Sequence, residues 1–383
     1  MRKILTIIIY SVFLFEGCKN KTIDTDMFVI DVSKDYPEKF VSFQEMGGEL
    51  EYIPLETNDE VLMEATATPV YISDKKIIIM NPFIGDIFIF GRNGKIESHF
   101  NHKGQSGEEY NNLRHLVYDE KNKEFFVSDY KKILVYSEEG QYKRHFSFPE
   151  TNFEKISNFD DETLLGYDEY DIYGNDYRTK PYLFVSKKDG SIVSELDINL
   201  PQRYSIKQKY DTENGKIVIR LGDFSNWHDG KDFVIADLSS DTIYKLTRDK
   251  RLIPLGTRVP SVSKNEMKTL LSVIIKTDKF MLLSANVADF EKVKKGIPLD
   301  ALYLLYNFAD NRITKSWFTN DDCSGCRYRF WDIEAPENTT ALFLSSFRLI
   351  EQRELGNISG NLKPIAEKVD EEDNPVLMVV KFK

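Results

Sequence analysis

The chain has 383 residues, 41% of them hydrophobic and 13% aromatic, and carries a net charge of −11. Apolar content at that level excludes a disordered chain. The lack of any basic stripe argues against a nucleic-acid partner, and the acidity by itself implies only solubility.

The N-terminus reads as an address. Arg2 and Lys3 precede an apolar run, Ile4–Phe15, and Gly17-Cys18 follows. A charged start, a short apolar stretch and a small residue before a cut make an export signal. The run has 12 residues, too few to span a bilayer that needs about 20. A cysteine directly after such a cut resembles the bacterial lipoprotein signal, in which that residue is acylated. Phe15 and Glu16 depart from the usual small and aliphatic residues there. The expectation is a signal peptide over 1–17, lipidation at Cys18 and a partner that is the membrane itself.

Residues 18–48 are expected to form a tether with one N-terminal strand at Phe28–Val32, and Leu50–Leu55 a further strand. From there the chain falls into hairpins. Lys76–Met80 pairs with Asp86–Phe90, Phe125–Asp129 with Ile133–Tyr136, and Thr163–Tyr167 with Tyr182–Ser186. Phe233–Leu238 follows with Thr242–Leu246, Phe280–Ser284 with Leu302–Asn307, and Leu342–Ser346 with Val376–Phe382. Turn signals such as Arg92-Asn93-Gly94-Lys95 and Lys188-Asp189-Gly190 separate them. Ile217–Leu221 is strand-like as well, and Phe290–Lys295 and Pro364–Val369 are short helix candidates.

One phrase recurs. DIFIFGRNGKIESHF over 86–100 returns as KILVYSEEGQYKRHF over 132–146, and more weakly as YLFVSKKDGSIVSEL from Tyr182. A strand–turn–strand phrase at a fixed period marks a radial β architecture. Six such units over 49–383 predict an all-β, six-bladed β-propeller. Its last unit supplies only three strands, so Leu50–Leu55 is expected to complete it and remove an open sheet edge.

Particular stretches carry a family resemblance. Glu51-Tyr52-Ile53-Pro54-Leu55-Glu56-Thr57, the loop Lys103-Gly104-Gln105-Ser106-Gly107-Glu108-Glu109-Tyr110, the strand Asp241–Leu246 and the closing Asp373–Leu377 run are of this kind. On these the chain resembles the six-bladed β-propeller lipoproteins of Bacteroidetes, distant in pattern from NHL and TolB-type propellers. Ser106, Gly107 and Glu108 depart from the family's loop. The resemblance implies the fold and no particular activity. Lys19-Asn20-Lys21-Thr22 stands where surface-exported lipoproteins of such bacteria carry an acidic run. An outer-membrane lipoprotein facing the periplasm is therefore expected.

The loops joining the second and third strands of blades three, five and six are long: 168–181, 286–301 and 347–375. Long ordered loops commonly carry function. In the first of them Tyr167, Tyr170, Asp171, Tyr173, Asp176 and Tyr177 are candidate ligand contacts, since tyrosine offers an apolar face with a polar tip. The same tyrosines could instead pack on the propeller, and Asp168, Asp171 and Asp176 could hold a hard cation. Cys323 and Cys326 read as a small disulfide in an oxidising compartment; redox or metal roles lack the context they need. Trp227-His228-Asp229-Gly230 reads as a turn. No nucleophile elbow, P-loop or dinucleotide fingerprint is present, and no cofactor is expected. Two functions stand open: a binding or scaffold module for a protein, peptide or glycan, and a lyase or lactonase-like hydrolase with a channel metal.

Overall fold

The computed structural model describes residues 27–168, 178–204, 207–212, 215–220, 227–228, 232–264, 269–287, 289–295, 297, 302–331 and 333–383. Six antiparallel blades ring a central axis. Within a blade the strands are lettered A to D from the axis outward.

Blade one runs Thr68–Ile72, Lys76–Asn81, Asp86–Gly91 and Ile96–Asn101. Blade two is His115–Asp119, Glu124–Asp129, Lys132–Ser137 and Tyr142–Ser147, and blade three is Phe153–Asn158, Thr163–Asp168, Tyr182–Ser186 and Ile192–Glu195. A hairpin, Lys207–Thr212 with Gly215–Arg220, precedes blade four. That blade comprises Trp227–His228, Phe233–Ile235, Thr242–Leu246 and Leu252–Val259. Blade five is Thr269–Lys276, Phe280–Val287, Leu302–Asn307 and Arg312–Thr319. Each expected B and C strand overlaps an observed one, though that expected over Phe233–Leu238 stops at Ile235 and that expected over Leu342–Ser346 runs over Thr339–Leu344, with Ser346 opening a helix. Trp227-His228, expected as a turn, is instead a short A strand paired with Val234 and Phe233.

Blade six departs from the pattern. It holds only Thr339–Leu344 and Val376–Phe382 from its own stretch of chain, plus the early strand β3 (Gly48–Pro54), paired from Val376↔Pro54 to Phe382↔Gly48. Among the described residues its A position has no strand of its own. The segment that should fill it binds blade one instead: Ile72 N donates to Glu334 O at 2.9 Å, and Glu334 N to Val70 O at 3.0 Å.

The N-terminal region is more than a tether. Strand β1 (Phe28–Asp31) lies parallel to the D strand of blade four, and β2 (Glu38–Ser42) lies parallel to the D strand of blade five. With β3 on blade six, the start of the chain straps three consecutive blades. Phe28, Ile30, Tyr36 and Phe43 of this strap join one buried cluster with blades four, five and six. The remaining core sorts into layers between neighbouring blades. Middle strands are buried on both faces, which is why they read as unbroken apolar runs such as Ile77-Ile78-Ile79. The D strands of blades one and two bury fewer residues and alternate.

The recurring phrase encodes a blade-to-blade contact. Gly140 sits in a C–D turn at φ 79°, and a Cβ there would lie 2.8 Å from the Phe100 ring of the preceding blade. Gly190, at φ 75°, would meet Phe146 at 2.4 Å in the same way. Glycine is thus required twice over, by the left-handed backbone and by the ring seated on it. Replacing Gly140 by Val is expected to cost about 2–4 kcal/mol. An unchanged urea midpoint would refute this account of the repeat.

Among the described residues three short α-helices occupy loops: α1 (Phe290–Lys294), α2 (Ser346–Glu354) and α3 (Lys363–Ala366). The sequence showed no sign of α2. It begins where the Ser345 hydroxyl accepts from Arg348 N, a cap for the first turn.

Candidate functional site

The antiparallel order puts the A–B and C–D turns on one face and the B–C loops on the other. On the A–B face, the A strands of blades one to three end in polar residues around the axis. Tyr71 stands near the end of the first, Asp119 ends the second with Glu120 following, and Asn158 ends the third ahead of Phe159 and Asp160. With Lys187 from a C–D turn, Arg248 and Lys250 from another, and Glu334, they line a groove of about 1400 Å³. It runs outward to Lys143 and Arg144.

Most charges in the groove are committed to one another. Lys187 is buried, and its Nζ donates to Asp119 Oδ2 at 2.6 Å, to Asn158 Oδ1 at 2.7 Å and to Asp160 O at 2.6 Å. Burial opposes the charge on Asp119, but the Lys187 and Asn122 donors outweigh it and hold the carboxyl below its ordinary range. Glu124 receives Arg144 in a fork, at 2.8 and 2.7 Å, with Lys143 alongside. Again burial is outweighed, and its pKa is lowered. Tyr71 donates to Glu120 at 3.0 Å; burial first, and that carboxylate second, push its phenol up. The Arg248 guanidinium lies over Phe159 and Phe233, 5.6 and 5.4 Å from their centroids. Lys250 sits 4.3 Å from the Phe184 centroid.

Glu334 behaves differently. Its Oε1 accepts Asn158 Nδ2 at 3.4 Å, and among the described residues no lysine or arginine forms an ion pair with it. Burial pushes its carboxyl up to about 8, against the smaller opposing pull of Asn158, Arg248 and Lys187. Among the described residues no three His, Cys, Asp or Glu side chains group to hold a metal ion.

The opposite face carries the long loops. Of the tyrosine candidates, Tyr170, Asp171, Tyr173, Asp176 and Tyr177 lie outside the described residues, as does Cys18. Tyr167 is a correction to the exposed-contact reading. It is buried, packed 5.0 Å from the Tyr182 ring and 5.1 Å beneath Arg203, because it belongs to a B strand that both neighbouring blades cover. Asp168 is equally buried and is raised chiefly by that burial, with Asn152 N and Arg178 as its donors. Phe83, Tyr130, Phe347 and Leu355 are among the exposed apolar side chains of this face, at 70%, 53%, 67% and 65% exposure.

Cys323 and Cys326 form a disulfide, with Cα atoms 5.5 Å apart. Its loop braces the insertion of blade six: Ser324 N donates to Asn357 O and Ser359 N to Asp322 O. Tyr52 of β3 reaches the same Asp322 at 3.0 Å, so closing strand, disulfide loop and insertion are tied at one point.

Sequence reasoning missed every groove residue. The one available signal was polar punctuation at the ends of the A strands, Asp119-Glu120 and Asn158, and it did not specify which groups would meet.

A family model covers residues 27–381, nearly the whole chain. The chain belongs to the DUF4934 family, a domain of unknown function. A Bacteroides fragilis protein inferred to be exported shares the fold with a TM-score of 0.66 at 14% identity, over 93% of this chain and 99% of that one. A DUF4221-family member from Bacteroides vulgatus gives a TM-score of 0.49 at 13% identity, over 88% of this chain and 96% of that one. At such identities the likeness concerns the fold alone. No curated protein matches the chain. Among the described residues no helix is long and apolar enough to cross a membrane.

Proposed function

We propose that this DUF4934 propeller is a lipid-anchored, extracytoplasmic binding module whose protein, peptide or glycan ligand lies in the groove of the A–B face. The groove itself carries the reading. Side chains from five blades meet there, Arg248 and Lys250 rest on Phe rings, and the buried charges are paired into fixed donors and acceptors. Preset polar groups beside apolar rings suit recognition. The Lys187 ammonium and the Glu124 carboxylate, each held in an ion pair, are poorly placed to act as nucleophile or base.

The anchor rests on Arg2-Lys3, the apolar run and Gly17-Cys18. Phe28 lies ten residue steps beyond Cys18, a reach of about 35 Å fully extended. The Lys19–Thr22 stretch supports the periplasmic side of the outer membrane. Cys18→Ala is expected to abolish palmitate labelling and release the protein from membranes; a variant that still labels and still sediments removes the anchor.

Peptide and glycan arrays probed with the mature chain test the groove. Arg248→Ala should lose whatever signal appears. Processing of a bound compound into hydrolysis or elimination products would replace this reading by the enzymatic one. The exposed tips Phe83, Tyr130, Phe347 and Leu355 favour a second contact surface on the opposite face, suited to a protein partner.

A further inference from the structure

The strap across blades four to six buries one set of side chains and exposes another. Phe28, Ile30, Val41 and Phe43 are buried, whereas Met27 and Val29 are half exposed and Phe40 is 70% exposed. Phe40 stands in register with Trp317 of the blade-five D strand, so the two side chains share one face of the sheet, and Trp317 is 45% exposed. Val259, which ends the blade-four D strand, is exposed as well. Among the described residues the outer strands of blades one, two and six expose no large apolar side chain. That of blade three exposes Ile192 and Val193, and Val193 belongs to the groove wall. An apolar flank concentrated on the strap and the strands beneath it marks a contact surface.

The length of chain ahead of the strap names what covers it. Phe28 lies only ten residue steps beyond Cys18, about 35 Å at full stretch. With that cysteine acylated, the strap is the part of the folded body next to the anchor, and the tether holds it at high effective concentration against the bilayer. We propose that this rim rests on the lipid surface that holds Cys18, with Phe40 and Trp317 seated at headgroup depth. The inference rests on the anchor reading and goes beyond it by giving the propeller an orientation. Tryptophan, with an apolar body and an N–H tip, suits that depth. Deeper insertion is barred, because β1 and β2 end their sheets and their outer N–H and C=O groups would go unpaired in hydrocarbon. Lys39 and Lys315, near the two rings in sequence, are already paired with Glu45 and Asp35, so the contact is apolar rather than electrostatic. A second copy added strand to strand is disfavoured by the same edges. They are four and five residues long, and Glu38 and Lys39 stand on the longer. Since blades radiate from the axis, a rim contact lays that axis along the membrane and leaves the A–B groove open to the side.

The test uses the lipidated chain in vesicles of phosphatidylethanolamine and phosphatidylglycerol, with and without lipids brominated near the headgroup end of their acyl chains. Bromine quenches tryptophan only at short range, and the chain has Trp227, Trp317 and Trp331. Brominated lipids should quench the wild type, and Trp317→Phe should lower that quenching at least threefold. Phe40→Asp, checked for folding by circular dichroism, should lower it at least twofold while the protein still sediments with the vesicles. Phe347→Asp, on the B–C face, should leave it unchanged.

Equal quenching of wild type and Trp317→Phe overturns the proposal. So does quenching that Phe347→Asp removes, which would turn the B–C face to the membrane. A lipidated chain that sediments with vesicles yet is not quenched keeps the anchor and loses the rim, whereas a chain that never acquires lipid overturns both. The Cys18→Ala chain should sediment as a monomer; a dimer that Phe40→Asp dissociates would overturn the lipid assignment and give the rim to a second copy.

Discussion

A chain truncated to begin at residue 48 is expected to be less stable than one beginning at residue 27 by on the order of 5 kcal/mol, with a melting temperature lower by roughly 10 °C. The removed strap buries Phe28, Ile30, Tyr36, Val41 and Phe43, each a large apolar side chain. Burial of one such group is worth about 1.5–3 kcal/mol, and the entropy of ordering the strap offsets part of the sum. The seat of Phe28 is specific: a Cβ on Gly256, its partner in register, would lie 2.2 Å from the ring. Cutting further, through Leu55, also removes β3 and leaves the last blade with an open edge. That chain is expected to fail to fold cooperatively. Equal melting temperatures for the chains starting at 27 and 48 would show the strap to be a passive tether.

Replacing Glu334 by Gln is expected to stabilise the protein at pH 8 by about 2 kcal/mol and to leave it unchanged near pH 4. In the unfolded chain the carboxyl titrates near its ordinary 4.5, and in the folded one near 8. Between those values the folded state keeps a proton that the unfolded state has released. Stability is therefore fully present below the lower value and declines as pH rises through the upper one. The full shift would correspond to more, but the side chain is only partly shielded from groove water, which reduces the effect. Asp168 and Asp237, both raised mainly by burial, slope the same way. The measurement is thus the difference between wild type and variant in urea unfolding at pH 4, 6 and 8. A difference that stays constant with pH would mean that Glu334 titrates alike in the folded and unfolded chain.

What was legible in the sequence follows from covering. B and C strands have blades on both sides, so they appear as apolar runs closed by turn glycines, and the ring could be counted from them. β3 was legible because the count left the last blade short. β1 was legible as a strand but not its partner, and β2 was not read at all, because both are short parallel additions on an outer edge with no hairpin turn to announce them. The blade-six A position misled for another reason: its segment bonds to blade one at Glu334, a tertiary choice that leaves no local pattern. The groove was illegible for the same cause. Lys187 lies 68 residues from Asp119, and Glu334 lies 176 from Asn158, so no window of sequence contains either pair.

The seam between β3 and Val376–Phe382 also sets a timetable. The first of these strands leaves the ribosome long before its partner, Val376–Phe382. At about 5–20 residues per second, an interval on the order of 20–70 s separates them. β1 and β2 must wait for the D strands of blades four and five, and until blade six is made the half-built ring exposes a strand edge at each end. Pairing across so great a chain separation is slow as well. A product that stalls before Val376 lacks the strand that β3 needs, and it cannot seal. Ring closure in this propeller therefore doubles as a check that the chain through Phe382 has arrived, and unfinished copies should stand open to proteases.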